Sequence, residues 1–289
     1  MLVVGIDENG LGPILGPLVV TASLVEAKDP ERLSKGSLKE SKKICGFGRM
    51  KECERIVLSF YKLLYNSIPS NTLEFLSNIL IQKDRCSLPF LHCICDLQIP
   101  SWMNSGINNQ IAQNYLQEID ASIKEIKSIA ICPGKFNQRL KYVSGKLHLN
   151  YLLFEDLFSY FKENYKDEIL FLCGRNGRTK NYQKFFNLFS PIFNYETKDE
   201  IGYYFCDGQK VRFITDGDAR YFPITISSIF GKYIRELFIR RMNEFFKSKI
   251  PALLYCSGYR DKKTRQFIKE TADLRNELNI PEECFLRER

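Results

Sequence analysis

Apolar and polar positions alternate in short blocks along the chain. Residues 2–7 form a β-rich run that closes on Asp7 and Glu8. Residues 18–25 (LVVTASLV) form a second, and the Gly/Pro-rich stretch between them predicts strand, loop, strand. Ile56, Val57, Phe60, Leu63 and Leu64 fall at helical spacing within 50–65, and Ile68-Pro69-Ser70-Asn71 ends that helix. Between 73 and 109 the signals mix, and only a helix at the start is predicted. Residues 127–133 read as a strand, 147–165 as a strongly apolar helix, and 169–172 as a buried strand stopping at Cys173-Gly174. Two further strands, 203–206 and 210–214, flank the hairpin dipeptide Asp207-Gly208. The second leads through Thr215-Asp216-Gly217-Asp218 into a helix over 227–247 with one apolar stripe. A short strand at 252–255 and a charged helix at 262–278 follow. The pattern predicts an α/β fold with a body over 1–250, a diverged or inserted region near 73–145, and a helical C-terminal appendage over 251–289.

Composition narrows the chemistry. With 289 residues, 44% of them apolar, the chain can bury a full core; 42 Lys+Arg against 34 Asp+Glu leave a modest +8. No apolar run approaches the ~18 to 20 residues a membrane span needs, and the opening run is too short for a secretory signal, so a cytoplasmic protein without membrane contact is expected. It is taken as a monomer, although the sequence itself carries no oligomeric signal. The ten cysteines include no CxxC pair and only His92 and His148 could join them, which argues against zinc; free, mostly buried thiols are expected, with His92-Cys93-Ile94-Cys95 as packing. Two histidines also leave little room for Ser-His or Cys-His catalysis. Carboxylates are the better candidates.

The segment 5–17 (GIDENGLGPILGP) admits three readings. Gly10, Gly12 and Gly16 suggest a dinucleotide loop, but Pro13 and Pro17 prevent the helix such a loop must open, and Asp7 and Glu8 would stand where phosphates should sit. A glycine turn joining two strands is the plain structural alternative. In the third reading, Asp7 at the end of a buried strand needs a cation. Mg²⁺ takes one or two carboxylates and leaves its other positions to water and phosphate, so Asp7 with further acids, among them Asp216 and Asp218, could hold one or two ions. The glycines would let a nucleic-acid backbone come close.

Four blocks then carry a resemblance. Asp-Glu-Asn-Gly-Leu-Gly-Pro at 7–13, continuing to Gly16-Pro17-Leu18-Val19-Val20, resembles the DEAGRGP signature of type 2 ribonucleases H. Glu40-Ser41-Lys42-Lys43 resembles their DSKK segment. Gly217-Asp218-Ala219 with 224–235 (ITISSIFGKYIR) resembles their gDa…iAAASIlAKv.R block, and Ser257-Gly258-Tyr259 sits where they carry Gly-Tyr. The resemblance covers roughly 1–65 and 145–265. It implies an RNase H-like fold, a mixed central sheet flanked by helices, and hydrolysis of the RNA strand in RNA·DNA hybrids or at a ribonucleotide in duplex DNA. It implies Mg²⁺ or Mn²⁺ in a two-ion site, held and used catalytically by Asp7, Glu8 and Asp218, with substrate contacts at Gly10, Leu11, Gly12, Lys42, Lys43 and Tyr259.

Two departures stand out. The family's remaining acid falls at Cys173, a degenerate catalytic position, and a thiol is a poor ligand for a hard, oxygen-seeking ion. Asp216 could substitute, or Mn²⁺ could tolerate the sulfur. Leu11 replaces the arginine between the two glycines, which keeps the backbone contacts to a 2′-hydroxyl and removes a side-chain phosphate contact. Tyr259 is either a stacking residue or ordinary packing beside Leu253, Leu254 and Tyr255. Lys42, Lys43, Arg175, Arg178, Lys180, Arg220, Lys232 and Arg235 are candidates for a phosphate groove, whereas Arg260, Lys262, Lys263 and Arg265 read as a solvent face. Besides an impaired nuclease, the sequence leaves open an inactive RNA·DNA-binding pseudoenzyme and an interaction module built on 73–145.

Overall fold

A computed structural model describes residues 1–30, 33–34, 36–45, 49–81, 97–103, 106–176, 179, 181–188 and 190–288. Strands β1 (Leu2–Asn9) and β2 (Leu18–Ala27) are followed by helices α1 (Ser41–Ile44), α2 (Met50–Tyr65), α3 (Thr72–Ile79) and α4 (Gln110–Glu118). Next come β3 (Ala121–Ile131), α5 (Pro133–Leu140), α6 (Lys146–Asn164) and β4 (Ile169–Gly174), then β5 (Pro191–Glu196), β6 (Glu200–Phe205) and β7 (Lys210–Ile214). The long α7 (Phe222–Lys249) precedes α8 (Lys262–Glu270), α9 (Ala272–Glu277) and α10 (Glu282–Phe285).

The strands form one mixed sheet in the order β3-β2-β1-β4-β7-β6-β5. β1, β4 and β7 run parallel at its centre, while β2, β3, β6 and β5 pair antiparallel on either side. Three parallel strands deliver their carboxyl ends to one edge, where an α/β sheet leaves a crevice. Alternation along β1 sends Val3 into the apolar layer under α2 and α7, and Val4 and Ile6 into the layer under α6. A smaller third core joins Leu15 to the second half of α7 and to the C-terminal helices through Phe246, Phe267 and Phe285.

The close approach of α7 to β1 depends on one glycine. A Cβ at Gly5 would lie 2.2 Å from the Pro223 carbonyl carbon, so only glycine lets the helix start over the strand. Ser227 Oγ then donates to the Gly5 carbonyl at 2.8 Å, and Ser23 Oγ to that of Pro223 at 2.8 Å. These serines serve helix–sheet packing.

Several sequence expectations need correction. The strand predicted over 127–133 runs over Ala121–Ile131, because Cys132 and Pro133 begin α5. No strand forms at 252–255. The adjacent backbone is satisfied by a side chain instead: Asn243 Oδ1 accepts from the Cys256 N–H at 2.8 Å, and its Nδ2 donates to the Cys256 carbonyl at 3.0 Å. The single helix over 262–278 is two, α8 and α9. Cys45 and Cys53 were expected as free thiols. They are joined in a disulfide, their Cα atoms 5.1 Å apart where α2 folds back on α1. The cluster 92–95 lies outside the described residues.

Candidate active site

The carboxyl ends of β1 and β4 and the turn after β7 enclose a cavity of about 290 Å³ lined by Asp7, Glu8, Asp218, Asp216, Lys42 and Tyr259 among others. Acids far apart in sequence therefore share one void. Asp7 faces α7, where the Ser228 hydroxyl reaches its carboxyl. Glu8, one residue on, faces the α6 side. With its amide nitrogen turned toward Glu8, Asn176 donates to the two carboxylate oxygens at 2.8 and 2.5 Å, and its own oxygen accepts from Asn150 Nδ2 on α6 at 2.5 Å. The opposite orientation would set an amide oxygen against a carboxylate. The Asn176 backbone N–H donates to the Tyr182 hydroxyl at 3.0 Å, and that ring stacks on Phe213 with centroids 3.7 Å apart.

Asp218 sits in the 3₁₀ turn Gly217–Ala219. Thr225 Oγ1, in the first turn of α7, donates to the Asp218 carbonyl at 2.8 Å and fixes the turn to the helix. Asp216 takes a left-handed φ of 50° so that the chain can leave β7 and turn into this site. Ser228 Oγ is also hydrogen-bonded to Ser41 Oγ at 2.9 Å, which ties α1 and with it Lys42 to α7.

The electrostatics of the cavity are those of crowded anions. Burial pushes the Asp7 carboxyl up to about 7, and the charge of Asp218 adds to the effect. Burial and the neighbouring Asp7 charge hold Glu8 well above the usual carboxylate range. Asp218 is raised by burial, with Lys42 opposing. Such a set of carboxylates calls for a cation. The donors are hard oxygens, which fit Mg²⁺ or Mn²⁺ in kind. Among the described residues, no three His, Cys, Asp or Glu side chains are grouped closely enough to enclose an ion by themselves. An ion here would take few protein ligands and complete its shell with water and substrate oxygen.

The remaining predicted residues separate. Gly10, Leu11, Gly12 and Lys42 line the cavity, as do Arg175 and Lys232. Gly10 has φ 94° with Arg235 packed beneath it, whereas no atom lies within 4 Å of a Cβ added at Gly12, which leaves open space there. Tyr259 is 44% exposed, not interior, and the Arg235 guanidinium lies 4.8 Å from its ring centroid. Arg235 itself is buried and donates to the Ser257 carbonyl at 3.0 Å, so it supports the tyrosine instead of facing a ligand. Lys43 is not among the residues lining the cavity; it pairs with Glu40 at 2.6 Å. Arg220 pairs with Asp199 at 3.7 Å, away from the cavity. Arg178 and Lys180 lie outside the described residues.

Cys173 is fully buried and does not line the cavity. Paired in register with Ile6, it points into the apolar layer under α6, where burial and the Asp7 charge push its thiol well up. Gly174 takes the place beside Asp7, and a Cβ there would lie 2.4 Å from Asp7 Oδ1. Asn176 and Asn150 were missed by the sequence reading, because a single asparagine carries no periodic or spacing signal.

Comparison with known proteins finds similarity to ribonucleases HII and HIII. A family model described as Ribonuclease HII matches residues 4–74. Ribonuclease HII of Methanococcus aeolicus is 31% identical over 77 residues, 27% of each chain, and that of Methanocaldococcus jannaschii is 48% identical over 44 residues, 15% of this chain and 19% of that protein. The N-terminal quarter of the chain is therefore similar to ribonuclease HII. These alignments span less than a third of either relative's length. Among solved structures, a mutant of Bst ribonuclease HIII superposes with a TM-score of 0.50 at 12% identity, over 98% of this chain and 65% of that one, which establishes the shared RNase H-like fold. The matched segment carries β1, the glycine loop and α1, all of which contribute residues to the lining of the acidic cavity.

Proposed function

We propose that the chain is a divalent-metal-dependent nuclease that hydrolyses the RNA strand of an RNA·DNA hybrid, or the phosphodiester at a ribonucleotide in duplex DNA. The observation that carries this reading is the convergence of Asp7, Glu8 and Asp218 on one cavity rimmed by the Gly10–Gly12 loop, Lys42 and Tyr259. Asp7, Glu8 and Asp218 would hold Mg²⁺ or Mn²⁺, which when bound supplies charge stabilisation at the phosphate and an activated water. The chain's own residues do the rest. Asn176 holds both Glu8 oxygens in one orientation, Ser228 holds Asp7, and Thr225 holds the turn bearing Asp218. Lys42 offsets the anionic crowd and offers a phosphate contact. The backbone at Gly10 and Gly12 can approach a ribose 2′-hydroxyl, which separates RNA from DNA. Tyr259, backed by Arg235, presents a ring to a sugar or base.

The position of Cys173 favours a second reading, an RNA·DNA-binding pseudoenzyme, because a fully buried thiol supplies no ligand to the cavity. Incubation with a labelled hybrid in Mg²⁺ and separately in Mn²⁺ separates the two. The nuclease reading expects internal cleavage of the RNA strand that is lost in Asp7→Asn. Tight hybrid binding with no cleavage in either metal would establish the pseudoenzyme.

A further inference from the structure

A second and larger groove, about 660 Å³, opens between α7, the start of α2 and the loop that precedes α8. It joins the acidic cavity, because Lys232 and Tyr259 line both. One wall is Trp102, from a segment that the family match does not reach. That wall is held rigidly. The buried Glu54 carboxylate accepts from the backbone N–H groups of Ser101, Trp102 and Met103 at 2.6, 2.7 and 2.8 Å and from the Tyr233 hydroxyl at 2.9 Å. Arg240 lies 5.0 Å from the indole centroid and donates to the Ser101 carbonyl. Tyr255 also lines the groove and is 48% exposed, with Lys247 Nζ 5.0 Å from its ring centroid.

The charges are complementary to a polyanion. Lys51, Lys232 and Lys263 line the groove, while its two carboxylates are engaged elsewhere, Glu236 with Arg235 at 2.8 Å and Asp261 capping α8 through the Thr264 N–H at 2.8 Å. Cations over an aromatic, largely apolar lining suit bases that are unpaired and free to lie against rings; a paired duplex would offer only its backbone. We propose that this groove binds unpaired nucleotides of a strand that continues past the acidic cavity, with bases against Trp102 and Tyr255 and phosphates along Lys51 and Lys263. The inference rests on the nuclease reading for the direction of the strand, and it deepens that reading by naming a hybrid with a single-stranded extension as the preferred substrate.

Trp102 is the chain's only tryptophan, so its fluorescence reports the groove directly. The full chain, in EDTA to prevent turnover, is titrated with a blunt hybrid and with the same hybrid carrying a short 5′ or 3′ overhang. The expected result is quenching by one overhang and binding at least ~10-fold tighter than the blunt hybrid, an advantage that shrinks as salt rises and disappears in Tyr255→Ala and in Lys263→Glu. Equal affinity for blunt and overhanging hybrids overturns the inference, as does quenching that persists undiminished in folded Tyr255→Ala and Lys263→Glu proteins. Failure of the nuclease reading shows separately, as an uncut blunt hybrid in Mg²⁺ and Mn²⁺.

Discussion

At the scale of single residues, the acidic cavity sets three expectations. Asp7 is raised in the folded state to about 7. An acid whose folded pKa lies above its unfolded value binds more protons when folded, so it costs stability as pH rises from the ordinary aspartate range through about 7. The metal-free protein should therefore melt at a lower temperature at pH 8 than at pH 5. Asp7→Asn should flatten that dependence, and a divalent ion should restore stability at pH 8; calorimetry across pH measures all three. Asn176→Ala removes the donor to both Glu8 oxygens. A lost charge-assisted hydrogen bond of roughly 1.5–3 kcal/mol should lower the cleavage rate by about tenfold or more, visible as a fall in kcat with little change in KM. Cys173→Asp would set a carboxylate among Phe171, Tyr151 and Tyr182 beneath two existing acids. An unpaired buried charge costs about 3–5 kcal/mol, so this variant should unfold at markedly lower urea and not gain activity. A stable and more active Cys173→Asp protein would show that the side chain at this position reaches the cavity.

The elements divide by how much of their structure was legible in the sequence. β1, β2, α2, α6, β4, the β6–β7 hairpin and α7 were, because each buries a face whose period matches its geometry. β5 was not. It is an edge strand with Ile192 and Phe193 exposed, so no alternation marks it, and it exists because β6 offers a partner. β3 was misplaced because its first half alternates weakly, with Lys124 exposed and Glu125 half-buried, yet it pairs along the whole of β2. The site divides likewise: Asp7, Glu8 and Asp218 stand at element ends that patterning locates, whereas Lys43, Arg220 and Arg235 could be sorted from Lys42 only by seeing which way each side chain leaves its backbone. The contact of β1 with α7 is a sharp test at this scale. Overpacking typically costs about 1–3 kcal/mol, and Gly5→Val should reach or exceed that range, because the obstructing atoms are backbone and cannot swing away. A reduced urea midpoint with an unchanged slope would bear this out, and an unchanged midpoint would contradict the packing described for β1.

The whole molecule presents a mixed sheet whose parallel centre opens onto an acidic cavity, with a cationic and aromatic groove beside it and a net charge of +8. A polyanion meeting such a surface displaces counterions, so hybrid binding should weaken steeply between low and physiological salt. Lys42→Glu should weaken it further at every salt concentration and flatten the slope, as filter binding across a salt series can measure. The central claim is that the three acids act together on a phosphodiester. Its most direct test is the cleavage of an end-labelled RNA·DNA hybrid by the wild type and by Asp7→Asn, Glu8→Gln and Asp218→Asn, each shown to be folded, in Mg²⁺ and in Mn²⁺. The account predicts internal cuts in the RNA strand by the wild type and a loss on the order of 1000-fold in each variant. Cleavage that survives all three substitutions, or a wild-type protein that cuts in neither metal, would contradict it.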